Sequence, residues 1–317
     1  MPQFDVTVVG ELNLDLILYG LPQQLELERE LLADGLALTL GSSSAIFAHN
    51  LAVFGSKVGF ISRIGTDPLG EIAIARLAAG GVDVSQVRKV PGPVSTGLTV
   101  ILPRTGGRNI LTYPGTMNEM CFEDLNLDYL ADSRHFHLSS FFLHRALRRR
   151  IPELFRFMKQ RGLSTSLDTN DDPEGKWGDD LFDVLKFVDV FLPNDREVKK
   201  ITGIDDLDGA VSKLRQCVPV LAVKLGPEGA MAFGPQGSVR CPARQVEAID
   251  PVGAGDSFNS GFLHAYVHGA DLAACLAQGN AAGAFSTTRP GGTEAFRDRA
   301  HFAQFFSREG STAKPHD

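Results

Sequence analysis

The chain has 317 residues, 43% of them hydrophobic and 22% charged, with a formal net charge of -7. That is ample apolar material for one large α/β domain or two ordinary ones. The negative charge is spread along the chain, which excludes broad binding to a nucleic-acid backbone and leaves a small anion only a local basic pocket; no apolar run approaches a membrane span.

In chain order, Phe4 to Val9 reads as a short apolar strand ending at Gly10, with no basic leader before it, so a cytoplasmic protein is expected. Lys57 to Ile64 is a second strand, followed by Gly65-Thr66-Asp67-Pro68 and a helical run through Ile72, Ala75, Leu77 and Ala78. The alternation returns in His135 to Ser140, the amphipathic run Leu147 to Arg161, Leu163 to Asp168, a helix near Leu181 to Phe187, and Asp189 to Pro193. Strands alternating with helices predict a parallel sheet covered by helices.

Two segments break the rhythm, at about 14–40 and 96–114, where Leu98/Val100/Leu102 alternate and Gly106-Gly107 marks a turn. They read as hairpins forming a small separate sheet, inserted into one domain over 1–310, with 311–317 as a flexible tail. Cys121, Cys217, Cys241 and Cys275 are far apart and show no metal spacing, so they read as reduced core residues. His135, His137 and His144 form a group that reads as structural, since no carboxylate accompanies them at metal spacing.

The turn from Asp250 to Phe258 carries the clearest chemistry. Gly253 and Gly255 let backbone N–H groups converge on an anion at a helix start, and Asp256 beside them could accept a proton from a hydroxyl attacking a phosphate. A helix cap is the alternative reading of Asp256. Phe258, Phe262, Leu263, Tyr266 and Val267 recur at helical spacing while Asn259, Ser260 and Gly261 are small or polar, so the helix is expected to be buried on one side.

The segment Asp250-Pro-Val-Gly-Ala-Gly-Asp-Ser-Phe-Asn-Ser-Gly-Phe-Leu263 resembles the C-terminal signature of the PfkB or ribokinase-like family of carbohydrate and nucleoside kinases. Gly41-Ser-Ser-Ser-Ala-Ile-Phe-Ala-His-Asn-Leu-Ala-Val-Phe-Gly55, followed by Val58-Gly-Phe-Ile-Ser-Arg-Ile-Gly-Thr-Asp-Pro-Leu-Gly70, resembles its N-terminal signature more loosely. The resemblance covers nearly the whole chain. It implies a three-layer α/β/α core with a mostly parallel central sheet and a small β-sheet lid. It also implies ATP and Mg2+ as cofactors, with Asp256 as general base and the Gly253, Ala254 and Gly255 amides as anion hole.

For the acceptor, the resemblance implies contacts from Asn13 and Asp15, from Gly41 and Ser42 where the family usually has two glycines, and from Asn170, which faces the substrate or the phosphate path. Ile46 stands where an asparagine that bonds the sugar is common, and an alkyl group there removes that hydroxyl contact. For the nucleotide it implies Asn194, Lys224, Gly226, Gly229, Asn280 and Gly283, with Glu197 reaching magnesium through water. Asp250, Val252, Ser286 and Gly291 resemble a loop that holds a monovalent cation such as K+. As bare patterns, Asp15 and Asn170 also fit turn residues, Asn194 and Glu197 a capping pair, the Gly226–Gly229 segment a hairpin turn, and the small residues of the Asn280 helix close packing.

The expected activity is transfer of the γ-phosphate to a hydroxyl, a primary CH2OH in the first reading, of a small carbohydrate. A nucleoside is the alternative acceptor, suggested by Ile46 and by Phe47 and Leu98 read as apolar lid residues. A phosphosugar would need basic partners, for which Arg104 and Arg108 are the candidates. An inactive ligand-sensing homologue is a further reading. Neither nucleic acid nor membrane is an expected partner, and the resemblance implies a homodimer through the lid.

Overall fold

The structure, a computed structural model, describes residues 2–178 and 180–307; the expected tail at 311–317 lies outside the described residues. Its strands are β1 (Phe4–Val9), β2 (Leu14–Tyr19), β3 (Gly35–Leu40), β4 (Val58–Gly65), β5 (Asp83–Val90), β6 (Leu98–Arg104), β7 (Gly107–Tyr113), β8 (Ser133–Leu138), β9 (Ser164–Leu167), β10 (Val190–Phe191), β11 (Val220–Lys224), β12 (Ala230–Gly234) and β13 (Gly237–Cys241). The helices are α1 (Ser43–Val53), α2 (Pro68–Ala79), α3 (Leu127–Ala131), α4 (Ile151–Gln160), α5 (Asp180–Leu185), α6 (Asp195–Thr202), α7 (Leu207–Leu214), α8 (Ala254–Val267), α9 (Leu272–Ser286), α10 (Glu294–Arg297) and α11 (Arg299–Ser307).

Nine strands form the central sheet in the order β13-β12-β11-β10-β9-β8-β1-β4-β5. All neighbours run parallel except at one edge, where β12 and β13 return antiparallel. Successive side chains of a strand point to opposite faces. In β1, Val6 and Val8 join α1, α2, α8 and α9 on one face, while Val9 joins α4, α5 and α7 on the other. The two clusters make this the three-layer α/β/α core that the resemblance implied.

The other four strands form the small sheet in the order β3-β2-β6-β7. The β2/β3 and β6/β7 pairs are antiparallel hairpins, and β2 meets β6 in parallel. The register aligns Thr39, Asp15, Thr99 and Thr112 in one row and Ala37, Ile17, Ile101 and Ile110 in the next row of the same face. The opposite face is apolar, through Leu16, Leu38, Val100 and Leu111. Asp67 joins this lid to the core: its carboxylate caps α2 at the Leu69 and Gly70 N–H groups and also accepts from the Thr96 N–H (2.7 Å) and hydroxyl (2.9 Å).

Three expectations need correction. Helix α8 is buried on every side from Asp256 to Leu263, because it lies between α1 and α9; a Cβ built on Gly261 would lie 2.6 Å from the Gln278 carbonyl oxygen. Phe47 is not a lid residue: it sits in α1, fully buried, with its ring centroid 4.0 Å from that of His137. All four cysteines are free, but only Cys275 is buried, while Cys121, Cys217 and Cys241 are partly exposed.

The buried histidines run through the sheet centre as a chain of hydrogen bonds. His135 meets Ser164 Oγ through Nδ1 and Ser166 Oγ through Nε2, both at 2.7 Å. His137 meets the same Ser166 Oγ through Nδ1 at 2.7 Å and Ser139 Oγ through Nε2 at 2.8 Å. Burial pushes His135 down to about 3 and His137 well below the ordinary value. Among the described residues no helix is long and apolar enough to cross a membrane.

Candidate active site

Gly253 opens the site. It adopts φ 72°, and a Cβ there would lie 2.5 Å from the Gly292 Cα, so no larger residue fits. Helix α8 begins at the next residue, and the Gly255 and Asp256 amides of its first turn lie at the positive end of the helix dipole. The Ala254 amide has a long bond to the Pro251 carbonyl, at 3.3 Å. Ile46 braces this turn from α1, and a Cβ built on Gly253 would lie 3.3 Å from it. Ile46 is 2% exposed and packs beneath the turn, in keeping with the loss of a hydroxyl contact at that position.

Asp256 is raised to about 7, mainly by burial and then by the Asp168 charge, against the opposing pull of Lys224 and a hydrogen bond from Ser43. Lys224 ends β11 and donates to Asp168 Oδ2 at 2.8 Å and to Asn259 Oδ1 at 3.4 Å. The Asn259 side-chain amide donates to the same Asp168 oxygen. Burial works against the ammonium, but Asp168, Glu197 and Asp256 outweigh it and hold the lysine above its ordinary value. A Cβ built on Gly255 would lie 3.6 Å from Lys224 Nζ, so the charge stands beside the turn. Its ammonium is already engaged by Asp168, which the sequence pattern did not indicate.

Asp15 lies in β2 of the lid, 5% exposed. It too is raised to about 7, by burial and then the Asp256 charge, while a Thr99 hydrogen bond and the Arg108 charge pull the other way. A Cβ built on Gly41 would lie 2.3 Å from Asp15 Oδ1 and 2.7 Å from Asn13 Oδ1, and the Ser42 hydroxyl donates to Asn13 Oδ1 at 2.5 Å. Asn13, Asp15, Gly41 and Ser42 therefore converge. Arg104 does not join them: its guanidinium bonds Asn109 and the Pro22 carbonyl within the lid. Of the two candidate arginines, Arg108 is the one whose charge reaches Asp15.

A second network adjoins the first. The Asn170 amide donates to Ser43 and, at 2.9 Å, to Ser140; Ser140 and Ser44 each donate to Glu11 at 2.7 Å; and His144 Nε2 stands 3.5 Å from Glu11. His144 thus does have a carboxylate neighbour. Ser42, Ser140 and Asn170 all hold positive φ without being glycine, a costly conformation that collects at functional sites. Glu11, Ser43, Ser140 and Asn259 were not singled out from the sequence. The position of Asn259, three residues after Asp256 on one helix, was the available signal for it.

On the other side of the turn, Asn194 caps α6. It accepts from the Glu197 N–H at 2.8 Å, while Glu197 accepts from the Asn194 N–H at 2.8 Å and side-chain amide at 2.6 Å. Both the capping reading and proximity to the site hold, because a parallel bridge sets Asn194 beside Lys224. Glu197 is raised to about 7 by burial and the Asp168 charge. It keeps lone pairs beyond its two bonds, and no cluster of three potential metal ligands exists among the described residues. That donor set fits magnesium held mainly by water and phosphate, not a protein cage.

Gly226 and Gly229 both take positive φ in the turn between β11 and β12, and a Cβ on Gly229 would lie 2.1 Å from the Cys241 carbonyl oxygen. Asn280 donates to the Cys241 and Pro242 carbonyls at 2.9 and 3.1 Å, and Gly283 lets α9 approach the Ala254 carbonyl. A cavity of about 510 Å3 opens there, lined by Pro227, Glu228, Arg240, Pro242, Ala243 and Gln245. Asp250 accepts from the Val252 N–H (2.9 Å), the Gly291 N–H (3.0 Å) and the Tyr19 phenol (2.9 Å). The Ser286 hydroxyl donates to Gly283. These bonds engage the Asp250 carboxylate and the Ser286 hydroxyl and leave the backbone carbonyls of Asp250 and Val252, the group type that suits a monovalent cation, outside them.

A family model described as pfkB family carbohydrate kinase matches residues 3–299. A deoxyribokinase from Salmonella typhimurium is 27% identical, over 96% of this chain and 99% of its own. A cytidine kinase from Thermococcus kodakarensis is 27% identical, over 87% of this chain and 93% of its own. An E. coli protein assigned as a ribokinase II, solved with ATP and Mg2+, superposes with a TM-score of 0.84 at 25% identity, over 96% of this chain and 99% of that one. A family match over nearly its full length, on this fold, means that the chain belongs to the pfkB family of carbohydrate kinases and is an ATP-dependent phosphotransferase.

Proposed function

We propose that the chain phosphorylates a hydroxyl of a small sugar, a primary CH2OH in the first instance, with Asp256 as general base. The observation that carries this reading is the pairing of two buried carboxylates, Asp15 and Asp256, each raised to about 7 and each feeling Asp256 or Asp168 as a negative neighbour. A neutral polyol laid between them would bond Asp15 through its hydroxyls and present one oxygen to Asp256. Asp256 takes that proton as the oxygen attacks the γ-phosphorus in line; the bond to the β–γ bridging oxygen breaks and ADP leaves. The Gly253 to Gly255 turn and Lys224 stabilise charge on the moving phosphoryl group. Asn194 and Glu197 would hold magnesium through water, and the ion would supply charge neutralisation on the ATP phosphates.

Backbone carbonyls of the Asp250–Val252 and Ser286–Gly291 segments would hold a monovalent cation such as K+, to which no step is assigned. The nucleotide's base is assigned to the cavity beside Gly229 and Asn280. A nucleoside acceptor is the second reading, favoured by the cytidine kinase relative. Dimerisation through the lid is supported by its outer face, where Leu36, Leu111 and Tyr113 are 66%, 57% and 50% exposed. A cytoplasmic location agrees with four free thiols.

ADP release measured over a panel of sugars, phosphosugars and nucleosides tests the acceptor. Asp256→Ala is expected to lower kcat by on the order of 10²-fold or more while ATP still binds. Full turnover in that variant would remove Asp256 from the chemistry. ATP binding with no ADP release on any acceptor would point to a ligand-sensing homologue.

A further inference from the structure

Tyr19 ends the lid strand β2, and its phenol leaves the lid to donate to Asp250 Oδ2 at 2.9 Å. The same carboxylate accepts from the Gly291 N–H through Oδ2 and from the Val252 N–H through Oδ1. One side chain therefore ties together the lid, the turn that precedes Gly253, and the segment returning from α9. Apolar packing follows the same path: Ile17, fully buried, joins Ile101 of the lid and Val252 of the turn, with Tyr19 and Ala37 against them. Thr39 of β3 adds a bond to Glu294 at 3.2 Å, and a Cβ on Gly291 would lie 2.5 Å from its methyl.

Asp15, Ile17 and Tyr19 share one face of β2, since side chains two apart in a strand point the same way. That single row carries the acceptor carboxylate, the residue packed on Val252, and the phenol on Asp250. Burial, and then the Asp250 charge, raise the Tyr19 phenol above its ordinary value, so it remains a donor across working pH.

We propose that Tyr19 is a positioning residue: through Asp250 it couples the lid strand that binds the acceptor to the turn that presents the phosphate-binding amides and Asp256. An acceptor held by Asp15 orders β2, and β2 then fixes the Asp250 turn. The coupling is reciprocal, so a nucleotide seated on the turn also favours acceptor binding. The two ligands are those of the kinase reading above, on which the inference rests for their identity.

Tyr19→Phe keeps the ring against Ile17 and Val252 and removes only the hydroxyl. Asp250 retains two N–H donors, so the fold is not left with an unpaired carboxylate. Turnover is expected to fall about tenfold, the order for one hydrogen bond to a charged group, with acceptor-free binding of a non-hydrolysable ATP analogue within about twofold of wild type. The factor by which the best acceptor of the panel tightens that analogue is expected to fall toward one. Hydrogen exchange at the Val252 and Gly291 amides of the ligand-free protein is expected to quicken.

Wild-type turnover, coupling factor and amide protection in Tyr19→Phe would overturn the inference while leaving the kinase assignment standing. If the wild-type protein itself transfers phosphate to no acceptor, the kinase reading of the two ligands fails instead. Exchange then decides the link alone: faster exchange at those two amides supports it, and unchanged exchange overturns it.

Discussion

Asp15 and Asp256 are both buried and both raised to about 7, yet they are held in different ways. Asp256 rides on a helix packed on all sides and stands beside a Lys224–Asp168–Asn259 cluster that fixes the local charge. Asp15 rides on a lid strand among hydroxyls, relieved by the Thr99 hydrogen bond and then by the Arg108 charge. In the proposed reading, the contrast teaches that the phosphate end is set by the core, whereas the acceptor end exists only where the lid lies.

The largest break of this contrast comes from Lys224→Met. Asp168 is fully buried and would lose its ammonium partner, which costs about 3–5 kcal/mol for a broken buried pair. Calorimetry on Lys224→Met should record that loss, and Lys224→Met/Asp168→Asn should recover much of it without recovering activity. Removing the ammonium also raises Asp256 further, so the acid limb of the pH–rate profile, expected near pH 7 in the wild type, should move to higher pH. Wild-type stability in the single variant would dissolve the charged cluster as the organiser of this end.

The two carboxylates give a second, smaller test. Each is raised in the fold to about 7 from an ordinary value of 3.8, so the unfolded chain loses these protons first as pH rises. Stability contributed by the protonated forms is therefore full below pH 4, declines between about pH 4 and 7, and is gone above. Asp15→Asn and Asp256→Asn should both melt above the wild type at pH 8, with the gap closing toward pH 4. A variant that melts lower at pH 8 would mean its carboxylate is structurally favourable as an anion. The smallest effect is at Ile46: Ile46→Val should cost about 1 kcal/mol by trimming the brace under Gly253, with acceptor KM nearly unchanged. A large change in KM would return Ile46 to the acceptor pocket.

Legibility followed periodicity. The β1 strand, both lid hairpins and the alternating core were readable because strand and helix repeats survive in a single sequence, and the turn into α8 was readable because its glycines mark a helix start. Helix α8 misled, since a helix buried on all sides has no polar stripe to report. Phe47 was misassigned because an aromatic residue near a glycine-rich turn looks the same whether it faces core or ligand. Lys224 and Asp168 lie 56 residues apart in sequence, and only the adjacency of β9, β10 and β11 brings them together. Asn194 and Glu197 were open between capping and site roles because the same pair caps α6 and lies beside Lys224.

The histidine chain in the sheet centre behaves as a single ordered string. Ser166 has one proton to share between His135 and His137, so the two rings cannot choose their tautomers independently. Ser164 donates to the Arg134 carbonyl, which leaves its oxygen to accept from His135 Nδ1–H; that in turn requires Ser166 to donate to His135, His137 Nδ1–H to donate to Ser166, and Ser139 to donate to His137. A carbonyl at the rim thereby writes, through Ser164, the proton order of four buried side chains, and exchanging Ser164 for alanine would erase the instruction.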